Sequence, residues 1–200
     1  MERPYDNFAA HYDRVFRVFE RLYLAAARRE TIAKLPQNAA LLEVGAGTGA
    51  NFEHYPPFQT AVASELSLRM LEHARTKTTT IVLTQADAQQ LPFPDDRFDA
   101  AFATLVFCSI PDPEMAFREL SRVVKPGGLI VLFEHVRPSG ILGHVFDVLS
   151  RLTVALIDDH FNRRTAETAR LSGLEIVEVR RKALGIFNLI VARVGTRVGN

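Results

Sequence analysis

The stretch Leu41-Leu42-Glu43-Val44-Gly45-Ala46-Gly47-Thr48-Gly49 decides the fold. Its first four residues are mostly apolar and predict a short buried strand, and three glycines follow at alternate positions. Glycine is needed where the backbone turns sharply and must approach a ligand closely, because it has no Cβ. A strand that runs into such a loop, with a helix expected to start after it, is typical of the first turn of a doubly wound sheet, where nucleotide-like ligands bind.

Strands and helices alternate on both sides of this stretch. The predicted strands cover residues 41–44, 60–64, 81–84, 98–105, 129–134, 174–180 and 187–194, and the predicted helices cover residues 8–35, 66–77, 113–124, 139–157 and 165–172. Because only a short link joins the last two strands, we expect them to form an antiparallel pair. The alternation predicts an α/β fold whose mostly parallel sheet carries helices on both faces.

The composition restricts the class of protein. The chain has 200 residues, of which 48% are hydrophobic and 24% charged, and its net charge is +1. These values are typical of one globular domain and give no strong field for nucleic acid or membrane. We find no signal-peptide pattern and no apolar stretch long enough to span a membrane, so we expect a cytoplasmic protein. A single cysteine, Cys108, excludes an internal disulfide framework, and we expect it to be buried.

An acidic residue follows the glycine loop at a distance that nucleotide-binding sites use. Glu65 lies about 20 positions beyond Gly45. A carboxylate suits a ribose because it accepts two hydrogen bonds from the diol. These residues alone leave the ligand open, because Gly45, Gly47 and Ala50 also fit the fingerprint of a nicotinamide-dependent oxidoreductase. A tight turn without any ligand also uses glycine.

Four segments in order resemble the class I S-adenosylmethionine-dependent methyltransferases, over almost the whole chain. They are residues 41–49, the segment Glu65-Leu66-Ser67-Leu68-Arg69-Met70-Leu71, the run from Ala86 through Leu91-Pro92-Phe93 to Asp99, and the connection that ends Lys125-Pro126-Gly127-Gly128. The family usually has aspartate where Glu65 stands. The resemblance implies a Rossmann-like methyltransferase fold with seven strands. It also implies S-adenosylmethionine as cofactor and S-adenosylhomocysteine as product.

The resemblance implies which residues hold the cofactor. The loop glycines would hold its methionine part, Glu65 the ribose, and Asp87 with Ala88 the adenine. The expected contacts are Tyr5, Tyr12, Glu43, Gly45, Ala46, Gly47, Gly49, Asn51, Glu65, Leu66, Met70, Asp87, Ala88, Thr104 and Leu105. We expect a single methyltransferase domain, made of an N-terminal helical cap (1–37), a cofactor-binding core (38–134), a substrate lid (135–165) and a closing helix with a strand pair (166–200).

Within the superfamily, the chain resembles the ubiquinone-biosynthesis-like group. The segment from Tyr5 to Asp13 carries this resemblance. More narrowly, the segments at 49–52, 104–109, 133–136 and 162–165 resemble bacterial phospholipid N-methyltransferases and the membrane-associated thiol methyltransferases of animals. No Asn/Asp-Pro-Pro-Tyr segment follows the fourth strand, where Thr104-Leu105-Val106-Phe107 stands instead, which argues against methylation of base amino groups or glutamine.

Candidate catalytic residues are His135 and Tyr12. His135 follows the fifth predicted strand, and a histidine can act as general base near neutral pH, although it could equally cap the strand end as a structural residue. Residues 139–157 form either a substrate lid or a helix packed on the sheet. The candidate substrate contacts there are Ile141, Val145, Phe146 and Leu149. Asp158-Asp159-His160 is favoured as a solvated loop over a metal site, so no metal is expected.

The expected function is methyl transfer from S-adenosylmethionine to a lipid or amphipathic acceptor. A phospholipid amine, as in phosphatidylethanolamine N-methylation, ranks first, followed by a small apolar thiol or other small molecule and then a quinone-precursor ring. The alternatives outside this reaction are a nicotinamide-dependent oxidoreductase and a catalytically silent binding protein. The expected partners are a small-molecule or lipid substrate and a peripheral membrane surface. No nucleic acid is expected, because the arginines are scattered and form no basic stripe. No obligate protein partner is inferred.

Overall fold

A computed structural model of the protein describes residues 24–135, 165–182 and 187–196. The described elements are α1 (Ala25–Ile32), β1 (Ala39–Val44), β2 (Phe58–Glu65), α2 (Leu68–Arg75), β3 (Val82–Gln85), β4 (Phe98–Thr104), α3 (Pro113–Val123), β5 (Val124–His135), α4 (Thr165–Leu171), β6 (Glu175–Lys182) and β7 (Phe187–Arg193). Each of the seven predicted strands is therefore present, within a few residues at most ends. The predicted helix over 139–157 lies outside the described residues.

The seven strands form one sheet in the order β3-β2-β1-β4-β5-β7-β6. Strands β1 to β5 are parallel, and β7 runs antiparallel to both of its neighbours, β5 and β6. This confirms the predicted doubly wound, mostly parallel sheet with a closing antiparallel pair. From β1 the chain runs outward to β2 and β3 and then returns to β4 on the other side of β1. Ligands of such sheets bind in the crevice at this reversal, beyond the carboxyl ends of β1 and β4.

Buried side chains cover both faces of the sheet, as parallel sheets require. All six residues of β1 are buried. One face packs against α1 and the residues after it, through a cluster of Ile32, Leu35, Ala39, Leu41, Ala100, Phe102, Val131, Leu189 and Val191. The opposite face packs against α3 and α4, through a larger cluster that includes Leu42, Phe98, Phe117, Leu120, Ile130, Leu132, Ala169 and Ile190. The sheet is thus a rigid platform for the residues at its carboxyl edge.

The segment after the glycine loop corrects one expectation. Instead of an α-helix, a single 3₁₀ turn forms at Phe52–His54. Pro56 and Pro57 follow this turn, and a residue before proline avoids the helical region. Tyr55 is accordingly extended, with φ −56° and ψ 137°. The chain therefore leaves the loop toward β2 after one short turn.

Strand β5 begins earlier than predicted, at Val124 and not at Leu129. Val124 already pairs with Phe98 of β4, and the register then shifts before Leu129 pairs with Ala100. The Lys-Pro-Gly-Gly run lies inside this irregular first part of the strand. Gly127 adopts φ +78° and donates its N–H to the carbonyl oxygen of Val194 at 2.9 Å. The Lys-Pro-Gly-Gly run, whose composition predicts a turn, therefore belongs to β5, and the pairing with β4 changes register within it.

Candidate functional site

The three glycines of the loop lie directly beyond β1, at the crevice. Gly45, Gly47 and Gly49 have φ of +69°, +56° and +80°. These are left-handed conformations that side chains with a Cβ rarely adopt. The backbone conformation of the loop therefore accounts for glycine at all three positions.

The space beside each glycine separates their roles. A Cβ on Gly45 would lie 2.5 Å from Cγ2 of Val106, and one on Gly49 would lie 2.5 Å from Cε2 of Phe52. A Cβ on Gly47 would meet nothing within 4 Å. Protein side chains thus fill the space beside Gly45 and Gly49, whereas the backbone at Gly47 borders open space that a ligand can approach.

Glu65 supports the open part of this loop. At the end of β2, its Oε2 accepts the N–H of Gly47 at 2.9 Å, and its Oε1 accepts the N–H of Ser67 at 2.9 Å. Each carboxylate oxygen can accept more than one hydrogen bond, so both can still receive donors from a ligand. Ser67 also caps α2 by accepting the N–H of Met70. Strand end, loop and helix start are therefore held together by one partly buried carboxylate.

A buried polar network lies under the crevice, on the face that α1 covers. Asn51 donates to Oε1 of Glu43 at 2.5 Å and to Oγ1 of Thr104 at 2.9 Å, and the Tyr55 hydroxyl donates to Oε2 of Glu43 at 2.6 Å. Arg28 of α1 donates to Oδ1 of Asn51 at 3.0 Å and to Thr104 at 2.5 Å. These contacts join α1, β1, β4 and the glycine loop at one point.

Burial dominates the electrostatics of this network. The Glu43 side chain is fully buried, and desolvation raises its pKa above the ordinary 4.5, although the hydrogen bonds from Tyr55 and Asn51 and the charge of Arg28 act in the opposite direction. Desolvation and the neighbouring Glu43 carboxylate also raise the pKa of Tyr55. Tyr55 therefore remains a hydrogen-bond donor to Glu43 at neutral pH.

The loop after β4 has an unusual backbone. Leu105, the first residue beyond the strand, has φ +59°, which is uncommon for a leucine. Its N–H donates to the carbonyl oxygen of Phe133 at 2.8 Å. The next two N–H groups, of Val106 and Phe107, donate to the carboxylate of Glu134. Strand β5 thus fixes the path of this loop, which is the wall of the crevice opposite Glu65.

The loop between β3 and β4 is held by an ion pair. Glu119 accepts the N–H of Leu91 at 2.7 Å and pairs with Arg122 at 2.7 Å. Arg122 in turn donates to the carbonyl oxygens of Leu91 and Phe93. Its guanidinium is the main reason that the pKa of Glu119 lies below its ordinary value. Upstream, Asp87 accepts the N–H of Gln89 at 2.9 Å. The segment expected to contact adenine is therefore firmly held.

His135 lies at the end of β5, beside aromatic side chains. Its ring meets the ring of Phe187 edge-on, with centroids 5.1 Å apart, and Phe133 stacks on Phe187 at 5.4 Å. Leu24, Ala27 and Phe133 form a buried cluster, against which Leu105 and Phe187 pack. This apolar group is here called the aromatic corner; it comprises Leu24, Ala27, Leu105, Phe133 and Phe187. His135 thus adjoins an apolar surface at the carboxyl edge of the sheet.

The structure brings most of the expected cofactor residues to this edge. Gly47 is bonded to Glu65, and Glu43, Asn51 and Thr104 share one network. Ala46 is buried, Met70 in the first turn of α2 is 4% exposed, and Leu66 is 37% exposed. Outside the described residues lie Tyr5, Tyr12, Ile141, Val145, Phe146, Leu149 and Asp158-Asp159-His160.

Four residues that the sequence reasoning missed contribute to the site: Arg28, Tyr55, Val106 and Glu134. Only Glu134 carried a usable signal, because a charged residue in an apolar strand must find a partner. Cys108 is buried, as predicted. The described residues contain no group of three or more potential metal ligands. In the same part of the chain, no helix is both long and apolar enough to cross a membrane.

Comparisons with known proteins agree with this geometry. Residues 42–132 match the family model described as a methyltransferase domain. Phosphatidylethanolamine N-methyltransferase of Cereibacter sphaeroides is 33% identical over 161 residues, covering 76% of this chain and 78% of the relative. Ubiquinone/menaquinone biosynthesis C-methyltransferase UbiE of Hahella chejuensis is 27% identical over 84% of this chain and 76% of the relative. Thiol S-methyltransferase TMT1B of Rattus norvegicus is 33% identical over 68% of this chain and 61% of the relative.

Solved structures share the fold. A Haloferax volcanii methyltransferase, determined in complex with the activator Trm112, superposes with a TM-score of 0.81 at 19% identity, covering 98% of this chain and 99% of that one. A methyltransferase of Thermotoga maritima superposes with a TM-score of 0.74 at 22% identity, covering 96% of this chain and 98% of that one. At these identities the likeness extends to the fold alone.

Proposed function

The chain belongs to the class I S-adenosylmethionine-dependent methyltransferases of the ubiquinone-biosynthesis-like group, and on that premise we propose that its acceptor is the amine of a phospholipid headgroup. The similarity to a bacterial phosphatidylethanolamine N-methyltransferase over three quarters of both chains is the observation that carries this choice. The aromatic corner beside His135 supports an acceptor with an apolar part. We also propose a cytoplasmic protein that contacts the membrane surface peripherally.

The residues at the crevice fit S-adenosylmethionine. The backbone at Gly47 borders space that a single Cβ would enter, and Glu65 offers carboxylate oxygens beside it. When bound, S-adenosylmethionine supplies a methyl group that its sulfonium has already activated for transfer. We propose that Gly45, Gly47 and Gly49 hold the methionine part, that Glu65 accepts hydrogen bonds from the ribose, and that Asp87 and Ala88 contact the adenine.

The remaining work of the chain is to align the acceptor and to handle its proton. A headgroup ammonium must lose one proton before its nitrogen can attack, and the neutral imidazole of His135 would accept that proton. The aromatic corner would exclude water and orient the acceptor toward the crevice. His135 is thus the proposed general base, and Phe187 the proposed apolar contact of the acceptor.

A small apolar thiol is the second candidate acceptor. The similarity to thiol S-methyltransferase TMT1B favours it, as does the apolar character of the corner. A thiol loses its proton to water more readily than an ammonium does, so this reaction would depend less on His135. A quinone-precursor ring is the third candidate, on the similarity to UbiE.

Methyl-labelled S-adenosylmethionine distinguishes the three acceptors. Purified protein is incubated with phosphatidylethanolamine vesicles, with a panel of alkyl thiols and with a demethylated quinone precursor, and Glu65→Ala serves as the inactive control. Label in the lipid extract supports the proposal, whereas label only in the thiols or only in the quinone refutes it in favour of that acceptor.

A matched pair of histidine variants tests the proposed base. His135→Ala should lower kcat with the lipid acceptor at least tenfold, with little change in KM for the cofactor. His73→Ala removes an exposed histidine of α2 and should leave both constants unchanged. Equal kcat for the wild type and His135→Ala would refute the role of His135.

A further inference from the structure

Glu134 is a fully buried carboxylate on the strand that ends in the proposed base. It lies one residue before His135, so its side chain points to the opposite face of the sheet. Burying a charged group is unfavourable unless hydrogen bonds compensate it. The groups that bind Glu134 therefore indicate why a carboxylate lies in this apolar strand.

Both carboxylate oxygens of Glu134 bind the backbone of the loop after β4. Oε1 accepts the N–H of Val106 at 3.1 Å, and Oε2 accepts the N–H of Phe107 at 3.2 Å. With the bond from Leu105 to Phe133, three successive N–H groups of this loop donate to the end of β5. These bonds compensate the left-handed conformation of Leu105, which is unfavourable on its own.

The loop held in this way forms part of the wall of the cofactor crevice. The Val106 side chain fills the space where a Cβ of Gly45 would stand, with both of its methyl groups within 2.6 Å of that point. A shift of the Val106 backbone would therefore change the support behind the first glycine of the loop.

We propose that Glu134 is a positioning residue for the cofactor, acting through the backbone of Val106 and Phe107. The carboxylate suits this role because it presents two acceptors to two successive donors. A glutamine would place an amide NH₂ against one of those N–H groups, and an aspartate would be one methylene too short to reach both. The role is separate from the choice of acceptor, because it concerns only the cofactor crevice.

Cofactor binding measures this role without any acceptor. Binding of S-adenosylhomocysteine to the full chain is measured by calorimetry for the wild type, Glu134→Gln and Glu134→Asp. We expect about tenfold weaker binding for Glu134→Gln, as for the loss of one hydrogen bond to a charged group, and partial recovery for Glu134→Asp. In steady-state assays, KM for the cofactor should rise more than kcat falls.

Asp99→Asn is the matched control. Asp99 also accepts a backbone N–H, that of Ala40 at 2.7 Å, but at the amino edge of the sheet. This variant should lower the melting temperature and leave the affinity for S-adenosylhomocysteine unchanged. If Asp99→Asn and Glu134→Gln weaken binding equally, the effect is general destabilisation and the proposal is wrong.

A double-mutant cycle with Val106→Ala tests the route of the effect. Val106→Ala alone should weaken binding, and the double variant should bind no more weakly than Glu134→Gln alone, because both changes act on the same support. Additive losses would overturn the proposal, as would unchanged affinity in Glu134→Gln. If Glu134→Gln does not fold, Val106→Ala decides: weaker binding supports the route, and unchanged binding refutes it.

Discussion

Carboxylates at the carboxyl edge of the sheet are held differently from carboxylates elsewhere in the described molecule. Glu65 and Glu134 each accept two backbone N–H groups, and Glu43 accepts a side-chain amide and a phenol hydroxyl. Each of these six hydrogen bonds comes from a neutral donor. Such donors fix the position of a carboxylate without adding a positive charge beside it.

Away from the crevice, carboxylates pair with cations. Asp99 binds Lys125 at 2.6 Å, Glu119 binds Arg122 at 2.7 Å, and Glu178 binds Lys34 at 2.8 Å. Hydrogen bonds from these cations lower the pKa of each of the three carboxyl groups, whereas burial raises that of Glu43. The outer carboxylates join elements by charge. Glu65 and Glu134 fix the local course of the main chain, and Glu43 joins side chains of the buried network. Loss of an outer carboxylate should thus affect stability, loss of Glu65 or Glu134 should affect cofactor binding, and loss of Glu43 should affect the stability of the buried network.

Glu65→Ala should give the largest effect. It removes the proposed ribose acceptor and the support of Gly47, so we expect S-adenosylhomocysteine to bind at least about 100-fold more weakly, as for the loss of two hydrogen bonds to a charged group. Calorimetric titration measures this loss. Glu72→Ala, an exposed position on α2, is the control. Wild-type affinity in Glu65→Ala would break the distinction between the two groups of carboxylates.

Glu43→Gln should give the next largest effect, on folding. It removes the carboxylate near the buried Arg28, and we expect the free energy of unfolding to fall by about 2–4 kcal/mol at pH 7. Chemical denaturation measures it, with Glu53→Gln as the exposed control.

The pH dependence of the same variant sharpens the comparison. Because the pKa of Glu43 is raised in the folded protein, its burial costs least at low pH, and the cost grows as pH rises from 4.5 through the folded pKa. The wild type should therefore lose more stability than Glu43→Gln over that rise. Parallel curves would show that Glu43 does not titrate in this range.

Glu119→Gln should have a smaller effect with the opposite dependence on pH. Its pKa is lowered by Arg122, so its contribution is present above pH 4.5 and is lost as pH falls below it. We expect a loss of about 1–2 kcal/mol at pH 7 and a shallower acid transition than in the wild type. Thermal melts from pH 3 to pH 7 measure both. Glu114→Gln on the same helix, whose pair with Arg118 is exposed, should match the wild type.

Glu178→Gln should give the smallest effect. Its ion pair with Lys34 joins β6 to the segment between α1 and β1 at the protein surface, where water and salt screen the charges. We expect a slight decrease in melting temperature at low ionic strength and none in 0.5 M salt. A large decrease that persists in 0.5 M salt would show that this pair contributes as much to stability as the buried Glu43.

The sequence predicted features that depend on local patterns. The apolar runs predicted the seven strands, and the glycine loop predicted the position of the crevice. Both predictions succeed because buried strands and tight turns depend on the residue types within a few positions. The 3₁₀ turn after the loop is also local in origin. Pro56 and Pro57 could have excluded the expected helix, since proline cannot continue one.

Features that depend on distant contacts were not predictable in this way. Arg28 reaches Thr104 across 76 positions of sequence, and no periodicity reports such a pair. The end of β5 shows a second reason. His135 drew attention for its chemistry, but a step of one residue reverses the face of a strand, and it is Glu134 that binds the loop after β4. The residue type suggests which chemistry a side chain can perform, but its position along the strand determines which face of the sheet it occupies.

The position of β7 has a consequence for how the molecule forms. β7 follows β6 in the chain but lies between β5 and β6 in the sheet. During synthesis, β5 therefore keeps an open edge until both later strands have been made, and β6 has no partner until β7 inserts. Pairings between strands so far apart in sequence close slowly, and open strand edges invite association with other chains. The nascent chain should thus need protection along β5, and release from that protection should coincide with the insertion of β7.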